Sequence, residues 1–425
     1  MNFSTTKPKV FFKTFGCRTN IFDTQVMMSN LKDFEVTQDE SDASIVVINS
    51  CTVTNSADTT ARSYINGLKK LSNNPKVIFT GCGTRTKGEK LFGENKIDGL
   101  FGASEKENIN EFLKLDEKFF KLGDLKSLDK TVVEEFVGKS RAFIKIQEGC
   151  DFRCSYCIIP YVRGDARSYE ESVILNQVET LAQNGFSEFI LTGTNVGSYG
   201  KKMHTSLAKL LKKMSLIKGV KRIRMGSIEP IQIDDEFKEL INEPFMAKHL
   251  HIALQHTSKE MLKIMNRRNK VLSDLELFEF LSSNGYALGT DFIVGHPGET
   301  EQLWREAMKN LENFPLTHIH AFTYSKRDGT PSAIMKDMIK GDIAKDRYIE
   351  LVEIIKDKNY KFREKIKNSS IKLEVLVEQE KNGIFTGFDQ FFNQVSISSK
   401  EDLVGDWLIL DDYLVKENKN EARFE

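Results

Sequence analysis

No stretch of the 425 residues stays apolar for the ~20 positions that a membrane-spanning helix requires. The opening residues, Met1-Asn2-Phe3-Ser4-Thr5-Thr6-Lys7-Pro8, lack the apolar centre of a secretory signal. These two absences predict a cytoplasmic protein that contacts no membrane. An excess of charge of either sign is also missing, with 61 basic and 61 acidic side chains. That excludes a uniformly basic nucleic-acid coat, though not a local basic face. Solenoid-length repeats and low-complexity tracts are absent. Histidine is absent from the first 203 positions, and all seven histidines lie between His204 and His320. What remains, 40% hydrophobic and 29% charged residues, suits a globular chain of about two to four domains.

Charge is unevenly spread. Residues 1–137 carry 19 basic and 19 acidic side chains, residues 138–369 carry 36 and 30, and residues 370–425 carry 6 and 12. Patterning predicts domains at 1–135, 136–370 and 371–425. In the first, apolar runs at 10–15, 44–49 and 76–80 read as buried parallel strands, with helical patterns at 23–31 and 57–71. This predicts an open parallel α/β sheet. A charged, irregular stretch over 115–139 reads as a linker. In the second domain, candidate strands at 142–147, 188–191, 222–225, 250–254, 288–294 and 319–324 alternate with helical patterns at 172–184, 206–214, 273–284 and 300–312. Six such repeats predict a partial TIM-type (β/α)6 barrel with its active site at the strand C-terminal ends. A long amphipathic helix over 342–367 closes it. The third domain, with alternating strands at 373–377, 395–397 and 407–409 and loop glycines Gly383, Gly387 and Gly405, predicts a small antiparallel β-barrel.

The six cysteines form two groups of three. Cys150, Cys154 and Cys157 have CxxxCxxC spacing directly after the first barrel strand, hence at the barrel mouth. Three thiolates in one short loop can hold three irons of a cubane cluster and leave the fourth open. The rival is a zinc site completed by a distant histidine. Cys17, Cys51 and Cys82 each follow a first-domain strand, and parallel strands deliver their C-terminal ends to one edge. Gly16, Ser50, Gly81 and Gly83 beside them leave room for a bulky group. Zinc and unconnected core cysteines are the alternatives. A local zinc site of three cysteines and one histidine is excluded by the missing histidines.

These residues resemble radical-SAM methylthiotransferases over nearly the whole chain. Thr14-Phe15-Gly16-Cys17-Arg18-Thr19-Asn20, Asn49-Ser50-Cys51-Thr52-Val53-Thr54-Asn55 and Thr80-Gly81-Cys82 resemble the amino-terminal motifs. Residues 149–157, with Pro160 and Arg163-Gly164, resemble the radical-SAM motif. The third domain is similar to a TRAM domain, an RNA-binding barrel. Residues 51–58 and Tyr324-Ser325-Lys326-Arg327-Asp328-Gly329-Thr330-Pro331 most resemble the MtaB branch, which methylthiolates threonylcarbamoyladenosine beside the tRNA anticodon. Other branches act on isopentenyladenosine in tRNA or on a ribosomal protein. A noncatalytic RNA-binding protein with structural metal sites is the alternative of a different class.

The resemblance implies two [4Fe-4S] clusters and S-adenosylmethionine (SAM). Cys150, Cys154 and Cys157 would bind the SAM-cleaving cluster, and Cys17, Cys51 and Cys82 an auxiliary one. Tyr156 would pack near the adenine of SAM, Gly193-Thr194-Asn195 would meet its amino group, and Glu229 and Gln255 would line the mouth. Implied partners are a tRNA anticodon loop, a reducing electron donor and a sulfur source. Phosphate contacts are sought among Lys209, Lys212, Lys213, Lys218, Lys221, Arg222 and Arg224, a run that also suits a solvated helix face. The better candidates are Arg267 and Arg268, near Lys263 and Lys270. The acidic third domain opposes RNA at long range, so it either presents a local basic face or acts by docking. Five positions depart from the family's usual residues: Ala253, His256, Thr257, Asn269 and His296.

Overall fold

The computed structural model describes residues 7–136 and 138–424, and all of these except the Asn55 side chain. The opening segment read for a signal lies, in its first six residues, outside the described residues. Among the described residues, no helix is long and apolar enough to cross a membrane.

The first sheet is parallel throughout, with strands β1 (Lys9–Thr14), β2 (Glu35–Val36), β3 (Ile45–Ser50), β4 (Lys76–Gly81), β5 (Gly99–Phe101) and β6 (Phe119–Lys121) in the order β2-β1-β3-β4-β5-β6. The unbroken apolar run Ile45-Val46-Val47-Ile48 makes β3 buried along its whole length, as a strand covered on both faces requires. Helices Arg18–Ser29 and Asn55–Leu68 follow β1 and β3. The Thr54 hydroxyl caps the second by accepting a hydrogen bond from the Ala57 amide at 3.2 Å. Strands β2, β5 and β6 are two or three residues long, too short to show periodicity. β6 corrects the reading of 115–139 as a structureless linker. Phe119 fills the space left by Gly99, where a Cβ would lie 2.3 Å from its ring.

The second region contains β7 (Ala142–Lys145), β8 (Gln147–Glu148), β9 (Arg167–Ser168), β10 (Glu188–Thr192), β11 (Arg222–Arg224), β12 (His249–His251), β13 (Ala287–Val294) and β14 (His318–Thr323). Two parallel three-stranded sheets, β11-β10-β7 and β12-β13-β14, are joined by the bridges Ile223–Met246 and Ile228–Ile252. The result is an arc of six strands, the expected partial barrel. β8 and β9 form a separate antiparallel pair. Helix Arg18–Ser29 packs on β7, where Phe22 and Val26 join the barrel core and the Thr19 and Thr192 hydroxyls lie 3.4 Å apart. The first region therefore supplies part of the barrel wall.

The third region is a curled half-barrel of β15 (Leu373–Lys381), β16 (Ile384–Phe388), β17 (Gln394–Ser398), β18 (Trp407–Leu410), β19 (Leu414–Val415) and β20 (Asn420–Arg423), ordered β18-β15-β16-β17-β20-β19. It is antiparallel apart from the parallel pair β17–β20. It docks at the beginning of the barrel strands. Arg222 donates to the Glu374 carbonyl at 2.8 Å and Arg224 to the Asp389 carbonyl at 2.5 Å. The Trp407 indole donates to the Ser187 hydroxyl at 2.8 Å, and its ring lies 4.4 Å from the Arg222 guanidinium and 4.2 Å from the Lys221 ammonium. Phe392 stacks on His249.

This corrects both readings of Arg222 and Arg224, as phosphate contacts and as part of a solvated helix face. Both are buried, and they share Glu188 with the nearby Arg141. Burial works to raise the Glu188 pKa, but Arg224, Arg222 and Arg141 overcome it and hold the carboxyl below its usual range. Lys209, Lys212, Lys213 and Lys218 remain on the surface. The acidic third region thus engages cationic side chains of its own chain.

Replacing Glu188 by Ala leaves these buried cations without their carboxylate. The expected loss is about 3–5 kcal/mol, read as a lower urea midpoint.

Candidate active site

The first triad lies in the loop after β8. Gly149, at φ +76°, lets this loop pass Asp165, where a Cβ would stand 2.0 Å from the carbonyl oxygen. Cys157 donates its amide to the Cys154 carbonyl at 3.1 Å, and Ser155 donates to the Met265 carbonyl at 2.9 Å. The Cys150 sulfur accepts from the Phe152 amide at 3.4 Å and from Asn195 Nδ2 at 3.5 Å. The Cys154 sulfur accepts from Arg267 Nη1 at 3.6 Å. Burial, then the neighbouring Cys154, pushes the Cys157 thiol up to about 12.

The predicted SAM-side residues converge here. Cys150, Cys154 and Cys157 line one cavity of about 210 Å³ together with Tyr156, Gly193, Thr194 and Asn195. Glu229, Gln255, Arg267 and Asp291 line the same cavity. Thr194 donates to the Gly149 carbonyl at 2.5 Å, and the Gln147 side-chain oxygen accepts the Asn195 amide at 2.8 Å. Gln255 sits at φ +66°, a left-handed conformation for a non-glycine residue.

The second triad occupies one edge of the first sheet. A Cβ on Gly16 would lie 2.9 Å from the Cys51 sulfur, so the backbone beside Cys17 touches Cys51. Burial, then the adjoining Cys82, pushes the Cys51 thiol up to about 12. Cys82 is buried against Ile158 and Val162, from the segment that follows Cys157. Cys17, at the start of helix Arg18–Ser29, is exposed. A further cavity is lined by Val53 and Thr54 from the loop after Cys51, by Tyr156 and Cys157, and by Asp291 and Tyr324. Tyr156, Cys157, Ile159, Gln255 and Asp291 line both cavities, which adjoin as a two-part chamber.

A buried ionic cluster holds the two triads together. Arg163 donates from Nε to the Cys82 sulfur at 3.1 Å, from Nη1 to Asp23 at 2.8 Å and Glu148 at 2.5 Å, and from Nη2 to Asn20 at 2.9 Å. Lys145 meets Asp23 at 2.6 Å and Glu148 at 2.7 Å, while Lys106 meets Asp129 at 2.5 Å. Burial favours neutral Asp23, but Lys145, Lys106 and Arg163 hold its carboxyl below the usual range.

Residues 9–102 match the Uncharacterized protein family UPF0004, and residues 144–311 match the Radical SAM superfamily. A Helicobacter pylori (strain J99) protein named "Putative methylthiotransferase" is 53% identical over 98% of this chain and 100% of its own length. An Aquifex aeolicus protein named threonylcarbamoyladenosine tRNA methylthiotransferase MtaB is 34% identical over 87% of this chain and 93% of its own. A Hydrogenobaculum protein named tRNA-2-methylthio-N(6)-dimethylallyladenosine synthase is 32% identical over 93% of this chain and 94% of its own. The chain belongs to the radical-SAM methylthiotransferases. Among solved structures, the radical SAM methyltransferase TsrM from Kitasatospora setae, with cobalamin and a [4Fe-4S] cluster bound, shares the fold at a TM-score of 0.60. It is 15% identical and covers 77% of each chain.

The cofactors of this methylthiotransferase are SAM and [4Fe-4S] clusters. Its residues fit them. Each triad offers three soft sulfur donors, the Cys150 sulfur already accepts an amide, and Asn195 Oδ1 is buried at the cavity without a partner.

Arg267 requires a correction. It was expected at an RNA phosphate, but its side chain is 2% exposed and holds Glu229 through both terminal nitrogens. It also donates to the Ala253 carbonyl. Both Glu229 oxygens are therefore engaged by the methylthiotransferase itself. Arg268 is exposed, 4.4 Å over the Phe152 ring. The unusual residues find partners of their own. His256 meets buried Glu299 at 3.1 Å, His296 meets the Ser155 hydroxyl at 3.0 Å, and Asn269 accepts from Arg267 at 3.1 Å. The buried ionic cluster and Asp291 were missed from sequence. The available signals were Lys145 ending an apolar strand and Asp291 interrupting another.

Replacing Gly193 by Ala puts a Cβ 2.8 Å from the Gln147 carbonyl, beside the side chain that holds Asn195. SAM affinity, measured by calorimetry, is expected to fall about tenfold, or about 1.4 kcal/mol, with a lower urea midpoint because the clash is with backbone.

Proposed function

We propose that this methylthiotransferase modifies tRNA, adding a methylthio group to carbon 2 of N6-threonylcarbamoyladenosine beside the anticodon, with SAM as both methyl donor and radical source. The observation that carries this reading is the contact between the two segments that resemble the MtaB branch. Arg327 donates to Asp58 at 2.6 Å, both buried, and Asp58 accepts from Thr52 at 3.2 Å. Val53 and Thr54 from one segment and Tyr324 and Ser325 from the other line the chamber beside Cys157. The loop that follows an auxiliary cysteine therefore shapes the same space as the radical-SAM loop. Relatives named MtaB at 30–35% identity support the same substrate.

In this proposal Cys150, Cys154 and Cys157 hold the SAM-cleaving cluster, and Cys17, Cys51 and Cys82 hold the auxiliary one. When bound, these groups supply radical and sulfur chemistry at an aromatic C–H that no side-chain base deprotonates at neutral pH. The chain's own residues do the rest. Tyr156, Gly193, Thr194, Asn195 and Gln255 hold SAM. The Glu229–Arg267 pair fixes the cavity wall. Asp58 and Arg327 brace the substrate side. The adenine must leave its stack to enter, which costs least in a loop already partly unstacked. Exposed Arg268, with Lys263 and Lys270, meets phosphates. A tRNA substrate makes the work cytoplasmic, and turnover needs an electron donor and a sulfur source.

One observation favours a second reading, action on isopentenyladenosine. The cavity beside Val53 includes Ile158, Ile159, Ile293 and Phe322 in its lining and no lysine or arginine, as an apolar substituent prefers.

Mass spectrometry of tRNA nucleosides from a gene-deletion strain decides between them. Loss of the methylthio form of threonylcarbamoyladenosine alone is expected; unchanged methylthio-nucleosides would falsify the tRNA assignment. In purified protein, Cys51→Ala is expected to abolish thiolation while SAM cleavage persists, whereas Cys157→Ala abolishes both.

A further inference from the structure

Four of the seven histidines lie on two strands flanking β13: His249 and His251 on β12, His318 and His320 on β14. The register pairs His251 with Gly289, Gly289 with His318 and Asp291 with His320. Strand residues two apart share a face. Gly289 and Asp291 therefore look toward the same side as both histidine pairs. A side chain at 289 would destroy the arrangement, since a Cβ there would stand 2.8 Å from His251 Nδ1 and 3.2 Å from His249 Nε2.

Three donor atoms converge. His251 Nε2 is 3.0 Å and His320 Nδ1 is 3.4 Å from Asp291 Oδ1, and the three groups lie within 4.8 Å of one another. A tetrahedral ion with ligands at about 2.0–2.1 Å has its donors a little over 3 Å apart. His251 is nine-tenths buried, and its Nε2 has no hydrogen-bond partner despite its distance from the carboxylate. It thus lies 3.0 Å from the carboxylate in poor hydrogen-bond geometry, a position that a shared ion would satisfy. The second carboxylate oxygen accepts from the Ser227 hydroxyl at 3.3 Å, which orients the first. Neither the cysteines nor the proposed SAM contacts use these imidazoles.

We propose that His251, Asp291 and His320 form a site for one divalent transition-metal ion, such as Zn²⁺ or Fe²⁺, in the wall of the chamber. Two imidazole nitrogens and one carboxylate oxygen select this class over Mg²⁺ or Ca²⁺, which take oxygen ligands. Three protein donors leave at least one coordination position open. Asp291 lines both cavities, so the ion would lie beside the chamber, where an oxygen ligand can complete its coordination.

The test uses the full chain with its cysteines already loaded with iron–sulfur clusters, incubated with Zn²⁺ or Co²⁺ alone and desalted. One zinc per chain by elemental mass spectrometry is expected, with the visible absorbance of the clusters unchanged. Bound Co²⁺ should show visible bands without sulfur-to-cobalt charge transfer. Asp291→Asn and His320→Asn should each weaken binding at least tenfold. His320 is 58% exposed, so its replacement leaves the fold intact. Substoichiometric zinc, sulfur-ligated cobalt, or binding that survives in both variants would overturn the proposal.

Discussion

Asp23 sits where the cations of three segments converge: Lys106 from the 3-10 turn after β5, Lys145 from the first barrel strand and Arg163 from the short helix after Cys157. With Glu148 and Asp129, the cluster has three charges of each sign, and its side chains are at most 4% exposed. Desolvating each ion costs several kcal/mol, and only dense pairing offsets it. The stabilising gain is therefore modest, while loss of any member is costly. Such a cluster acts mainly to fix geometry. Here it sets how the first sheet meets the barrel, and through Arg163 it fixes Cys82 next to the Cys157 loop.

The same logic runs through the barrel interior. A TIM-type barrel usually fills its centre with branched apolar side chains. In this chain the inner layer near the strand beginnings instead carries Glu188, Arg222, Arg224, His249 and His318, closed by Phe392. Burial, then His318 and His251, pushes the His249 imidazole well below its usual range, so it stays neutral there. The half-barrel of the third region covers this polar layer. One of its carboxylates, Glu378, pairs with Arg141, while backbone carbonyls at Glu374 and Asp389 accept from Arg222 and Arg224.

Much of this was legible in the chain itself. The apolar runs around 45–50 and 76–81 and the six barrel strands stand near where periodicity put them, because each is long enough to bury a continuous face. The cysteines were legible because parallel strands deliver their ends to one edge. Strands β2, β5 and β6 were not, since two or three residues carry no period. Arg222, Arg224 and Arg267 were misread for one physical reason. A sequence shows the charge of an arginine, and Glu188 and Glu229, which neutralise them inside the fold, come from other segments. The ionic cluster around Asp23 escaped notice likewise, its members being spread from Asp23 to Arg163.

If this cluster holds two iron–sulfur sites against one chamber, the sites must sense each other magnetically. Electron paramagnetic resonance of the fully reduced, SAM-free protein is the direct measurement. The account predicts a spectrum broadened by spin–spin interaction, which collapses to a simple signal in Cys51→Ala and in Cys157→Ala. A spectrum equal to the sum of those two single-cluster signals would contradict it.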